Sequence, residues 1–217
     1  MDSQWQWPLR YRGENKKMML TNSNTKLKKS SKLNNASIYA FDLPAYKTKE
    51  GKITCPFAKV CVKYCYAQKG AYTWSPAQNK HNLNYKATKQ NDFIDIIQDE
   101  INRKRKITHV RVHSSGDYYS PKYLDKWVKL AHSNPDTIYY SYTKSVQMFK
   151  DLKNKPNNLI PIFSEGGKQD HLIDYEKDRH AKIFDNIDDL LDAGYIDASG
   201  DDLKALTSVK KVGLIYH

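Results

Sequence analysis

Apolar and polar positions in this chain alternate with a period of two in short runs, and between those runs apolar residues recur every three to four positions. Residues 36–41 alternate as a strand and stop before Pro44. Residues 108–113, 137–142, 159–163 and 212–216 read the same way, and Tyr195-Ile196 reads as a very short strand. Pro161 lacks a ladder N–H, which predicts an edge or a bulge in the run 159–163. Between these runs, residues 77–104 predict one or two helices, with Phe93, Ile94, Ile97 and Ile101 at helical spacing and Asp95, Asp99 and Arg103 as a charge ladder. Ser120 caps and Pro121 opens a helix with Leu124, Trp127, Val128 and Ala131 on one face. Ser145 is expected to cap a short helix through about Leu152, Ile187, Leu190 and Leu191 mark a helix ended by Gly194, and 203–206 make a helical turn. Six strands alternating with helices predict an α/β fold with a parallel sheet, either open or curled into part of a barrel. Residues 1–35 are rich in Lys, Asn and Ser and lack this periodicity, so they read as a basic, weakly ordered N-terminal arm ahead of a domain over 36–217.

Composition narrows the setting. No run approaches the roughly 20 apolar residues of a membrane span. The start, Met1 to Trp7, lacks the basic and then apolar order of a signal peptide, so the expected location is the cytoplasm. The net charge of +12 is unevenly spread: residues 1–160 carry +17 and residues 161–217 carry −5. A basic body of this kind favours nucleic acid or nucleotide partners. Lys26, Lys28, Lys29 and Lys32 in the arm are the better candidates for phosphate contact, because Arg103-Lys104-Arg105-Lys106 closes a helix and complements its dipole. The 16 tyrosines fall mostly on strands and do not read as a base-stacking platform.

All three cysteines, Cys55, Cys61 and Cys65, fall in one 11-residue window with the spacing C-x5-C-x3-C. Three thiolates on one loop can hold three corners of a 4Fe–4S cluster and leave the fourth iron open. A zinc site needs a fourth ligand, for which His81 is a candidate, and three buried thiols without a ligand role are the remaining alternative. In parallel α/β folds chemistry sits at the C-terminal ends of strands. That rule singles out His113-Ser114-Ser115-Gly116-Asp117, Thr143-Lys144-Ser145 and Glu165-Gly166-Gly167, where two glycines after a strand permit close backbone approach to a ligand. Against this, Gly-Asp is a common turn, His113 suits strand-end packing, and His171 and His180 read as solvated surface residues.

Residues 61–65, with Tyr64 ahead of the last cysteine, resemble the cluster loop of radical S-adenosylmethionine enzymes. Cys55-Pro56, Cys65-Tyr66-Ala67, residues 113–120, Tyr142-Thr143-Lys144-Ser145 and the terminal Ile215-Tyr216-His217 resemble the phage gene-product-88-like family more closely. The usual radical-enzyme spacing is C-x3-C-x2-C, so this loop is longer. The resemblance implies a partial (β/α)6 TIM-like barrel with the cysteine cluster loop after the first strand. It implies a 4Fe–4S cluster on Cys55, Cys61 and Cys65, S-adenosyl-L-methionine as cofactor and an external electron donor. Ser115-Gly116-Asp117 would stand where the family holds the methionine amino group, Ser141 or Thr143 would meet the ribose or carboxylate, Lys144 would pair with the carboxylate, and Glu165 would join the cofactor site. The expected activity is radical modification of a nucleotide, nucleic acid or host component, in the host cytoplasm if phage-encoded. The alternative is a non-enzymatic, metal-stabilised nucleic-acid-binding protein, and a cluster-based redox or sensor protein is a further one.

Overall fold

The computed structural model describes residues 19–104 and 106–216. Helix α1 (Thr25–Leu33) leads into β1 (Ile38–Phe41), and a long segment of three short 3-10 turns then reaches α2 (Ser75–Thr88) and α3 (Phe93–Arg103). Next come β2 (His109–Val112), α4 (Pro121–Ser133), β3 (Ile138–Thr143), α5 (Val146–Lys150) and β4 (Leu159–Ser164). β5 (His180–Phe184), α6 (Ile187–Asp192), β6 (Ile196–Asp197), a 3-10 turn (Asp202–Leu206) and β7 (Lys211–Ile215) complete the chain. The strands form one parallel sheet in the order β1-β2-β3-β4-β5-β7-β6, curled into a half-barrel. The sheet has seven strands rather than six, because residues 180–184 also join it. His-Ala-Lys-Ile-Phe shows only broken alternation, and β5 is half exposed along its length.

Alternate strand residues feed two cores, as the pleat requires. Phe41, Val110, Val112, Tyr139 and Phe163 pack outward with Phe93, Ile97, Tyr123, Leu124 and Trp127 of the helices. Within this layer Phe41, Phe93 and Trp127 meet edge to face at 5.2–5.8 Å. Ile38, Ala40, Tyr140, Ile162, Ala181 and Val212 face inward, against Leu27 of α1 and Ala205. The segment 19–35, expected as part of a weakly ordered arm, therefore contributes a packed helix, capped by Asn24 accepting from the Leu27 amide. Residues 1–18 of that arm lie outside the described residues.

Arg111 occupies an inward position of β2, and its charge has to be met inside the protein. Its Nη1 donates to both carboxylate oxygens of Asp202 at 2.9 and 3.0 Å, the Tyr140 hydroxyl donates to the same carboxylate at 2.6 Å, and Lys26 Nζ lies 3.0 Å from it. The Asp202 amide donates to Ser30 Oγ, and the guanidinium lies over the Tyr142 ring. This buried network ties α1 and the 202–206 turn to the concave face of the sheet.

Local chemistry explains other elements. Ser120 Oγ accepts from the Tyr123 amide and Pro121 takes the first helical position. Ser145 does not cap α5; its hydroxyl donates to the Tyr118 carbonyl instead. β4 is an interior strand, not an edge, yet Pro161 is accommodated. The amides of Phe163 and Glu165 point to β5, so the Pro161 nitrogen faces the same side, where β5 has not yet begun its pairing. His180, expected at the surface, is fully buried, with Nε2 against the Tyr195 hydroxyl; His171 is exposed. His81, the candidate fourth zinc ligand, is buried on α2 beside Tyr72.

Candidate active site

The end of β2 is built around a backbone reversal. His113 (φ 74°) and Gly116 (φ 84°) both lie in the left-handed region, and the intervening amides of Ser114 and Ser115 donate to Asp42 Oδ1 at 2.6 and 3.2 Å. A Cβ on Gly116 would stand 2.5 Å from Leu43 Cβ. Glycine is thus required here by both conformation and packing. Gly116→Ala is expected to cost about 2–4 kcal/mol, from overpacking plus a disfavoured φ, and a urea titration measures it. His113 packs between Tyr118 and Tyr123, with Nε2 2.8 Å from the Tyr123 hydroxyl, and burial lowers its pKa to about 3.

Asp117 is buried, and its carboxylate joins β2 to β3. Oδ1 accepts from Thr143 Oγ1 at 2.6 Å and the Tyr118 amide at 2.7 Å, and Oδ2 accepts from the Lys144 amide at 2.9 Å. Burial raises its pKa despite these bonds. Lys144 Nζ donates to the Ser164 carbonyl, the Ser164 hydroxyl and the Glu165 carbonyl at 2.9–3.2 Å, which uses all three of its donors. Thr143, Lys144 and Asp117 therefore form one group, and their polar atoms brace the ends of β2, β3 and β4. Glu165 stands apart: its carboxyl, pushed up by burial, faces Lys182, His180 and Tyr195 toward β5. Ser141 follows Tyr139 in the pleat and so lies on the outward, helix-covered side of β3. The Ser114 and Ser115 hydroxyls are buried without a partner.

The cysteine segment is strapped over these strand ends. The Asp117 amide donates to the Thr54 carbonyl, the Tyr66 hydroxyl donates to the Ser114 carbonyl, and the Lys168 amide donates to the Phe57 carbonyl. The Cys61 amide reaches the Gly166 carbonyl at 3.5 Å, and Tyr64 meets the ring of Tyr216 after β7. Gly166 and Gly167 allow this approach, since a Cβ on either would come within about 3.0–3.1 Å of Tyr64 or of Phe57 and Lys144. Their amides are held by the Asp170 carboxylate. Cys55 lies near Cys65 and Asp117; burial and then the Asp117 charge push its thiol up to about 12. All three cysteines are free and half-buried. Among the described residues, no three Cys, His, Asp or Glu side chains are gathered as a metal-binding group.

The sequence reading missed Asp42, Tyr66 and the Arg111–Asp202 pair. The last carried a signal: an arginine at an inward position of an alternating strand demands a buried acid.

This architecture defines a parallel α/β half-barrel protein whose strand ends lie beneath a cysteine-bearing cap. The chain belongs to the Gene product 88 family, whose model matches residues 16–215. It is 26% identical over 102 residues to the Gene 88 protein of Mycobacterium phage L5, a match covering 42% of this chain and 43% of that relative's length. No solved structure matches. Among the described residues no helix is long and apolar enough to cross a membrane.

Proposed function

We propose that the protein is an iron–sulfur enzyme of the radical S-adenosylmethionine type, with Cys55, Cys61 and Cys65 holding a 4Fe–4S cluster. The observation carrying this reading is the position of the thiols: they ride on the segment after β1, strapped across the C-terminal ends of β2 and β4. The donor chemistry fits, since three thiolates are what such a cluster needs. The present arrangement brings Cys55 beside Cys65 while Cys61 packs against Gly166, so binding has to draw the three together. A cluster held by Cys55, Cys61 and Cys65 would supply one-electron reduction of S-adenosylmethionine, with an external donor as the source of the electron.

The remaining polar groups divide by what they already bond. The buried, unpartnered hydroxyls of Ser114 and Ser115 favour them as ligand contacts. Thr143 and Lys144, already tied to Asp117 and to the end of β4, act as positioning residues, and Asp117, which lies near Cys55, retains acceptor capacity beyond its three bonds.

The test uses the full chain purified without oxygen and reconstituted with iron and sulfide. About four irons per chain, and an electron paramagnetic resonance signal of the reduced protein that shifts when S-adenosylmethionine is added, are expected. Zinc in place of iron would overturn the cluster. A cluster signal indifferent to S-adenosylmethionine would overturn the radical chemistry.

A further inference from the structure

The segment bearing the cysteines is also a stretch without negative charge. Residues 51–91 contain seven lysines and no Asp or Glu. Lys59, Lys63 and Lys69 are exposed, and none forms an ion pair among the described residues. Lys168, also exposed, adds an ammonium beside the segment, its Nζ donating to the Pro56 carbonyl at 3.0 Å. The Asp170 carboxylate, near Tyr64 and accepting from the amides of Gly166 and Gly167, sets one negative charge against these four ammonium groups. Two aromatic side chains are exposed within the same segment: Trp74 is 67% exposed, and Tyr66 is 54% exposed with its ring edge to face on Tyr72 and its hydroxyl anchored on Ser114. Trp127, by contrast, is wholly buried in the core. A tryptophan left this open forgoes the burial that usually stabilises it.

We infer that the outer face of the cysteine cap, formed by Lys59, Lys63, Lys69, Tyr66 and Trp74 with Lys168 beside them, binds single-stranded nucleic acid. Lysines meet the phosphates and release counterions, while the open rings stack on bases. A duplex hides its base faces and can engage only the lysines. In the described part of the arm Lys26 is spent on Asp202 and residues 19–35 carry no aromatic residue, so Lys28, Lys29 and Lys32 offer charge without a ring to stack on bases. Taking this face as the substrate side of the enzyme rests on the cluster reading above; the binding itself does not.

The experiment measures fluorescence anisotropy of a labelled oligothymidylate of about 20 nucleotides, and of a duplex of equal length, with iron-free and reconstituted full-length protein. The triple variant Lys59→Gln/Lys63→Gln/Lys69→Gln is expected to bind about tenfold or more weakly, with its salt slope reduced by about 2, at roughly 0.7 per phosphate contact. Trp74→Ala is expected to weaken binding about fivefold or more with the slope unchanged. Lys28→Gln/Lys29→Gln/Lys32→Gln should change affinity by less than about twofold. Thermal melts check folding, and the Lys-to-Arg triple should restore binding. Wild-type affinity in the cap triple, equal affinity for duplex and single strand, or no binding by the wild type would each overturn the inference. No binding by a wild type that takes up its full iron counts against this face alone. Binding by a protein that takes up no iron supports it and counts against the cluster alone.

Discussion

Asp202→Asn is expected to lower the unfolding free energy by about 3–5 kcal/mol, because it leaves Arg111 buried without its counter-charge. Arg111, Lys26 and the Tyr140 hydroxyl all converge on this carboxylate, and no solvent reaches it to compensate. Urea titrations of the wild type and the variant measure the difference, and a loss under about 1 kcal/mol would contradict the role assigned to the network. Removing all three charges as Lys26→Met/Arg111→Met/Asp202→Leu is expected to be far milder than the single change. The pH dependence follows from the same residue. Burial pushes the Asp202 carboxyl up, but Arg111 and Lys26 more than reverse this, so it sits below its ordinary value in the folded protein. A group lowered on folding contributes stability that is fully present above the unfolded value, about 3.9, and is lost as pH falls through the folded one. Wild-type stability should therefore drop on acidification below about pH 4, and Asp202→Asn should flatten that part of the curve.

The second large effect concerns the thiols. Cys55→Ala, Cys61→Ala and Cys65→Ala are each expected to reduce reconstituted iron from about four per chain to below one and to abolish cleavage of S-adenosylmethionine. His81→Ala should leave iron content unchanged, since that ring is buried against Tyr72 and away from the cap surface. Retention of a full cluster in any cysteine variant would remove that cysteine from the ligand set. The iron-free protein offers a separate reading of Cys55. Its thiol, pushed up to about 12, stays protonated near neutral pH, so Cys55 should resist iodoacetamide at pH 8, as peptide mass spectrometry reports. Ligation must displace that proton, so iron uptake should improve as pH rises from about 7 to 9.

Strands with clean alternation and helices with caps were legible in the sequence, because one face of each meets a core. β2 and α4 show this: Val110 and Val112 pack against Leu124 and Trp127, and Ser120-Pro121 marks the helix start. β5 was not legible, since Lys182 and Ile183 are both exposed and the hydrophobic period dissolves. Helix α1 was missed because Leu27 is its sole fully apolar anchor; much of what holds it is the pairing of Lys26 and Ser30 with Asp202, remote in sequence. Of the candidate site, the strand-end rule found Asp117, Thr143 and Lys144, which do come together. It gave no means of seeing that they bond chiefly to one another. Ser141 lies on the helix-covered face of β3, and the Glu165 carboxyl turns toward β5, the strand the sequence did not show.

Asp202 and Ser30 meet across 172 residues of chain. Until Asp202 has been synthesised, α1 has no partner for its lysine, and Arg111 lacks its acid. Strands β1 to β4 can pair in order as they emerge, but the acid that closes the concave side comes only after all four. Vectorial folding would thus leave the interior of the half-barrel accessible in every nascent chain. Closure is then expected to be a late step that α1 and the 202–206 turn complete together.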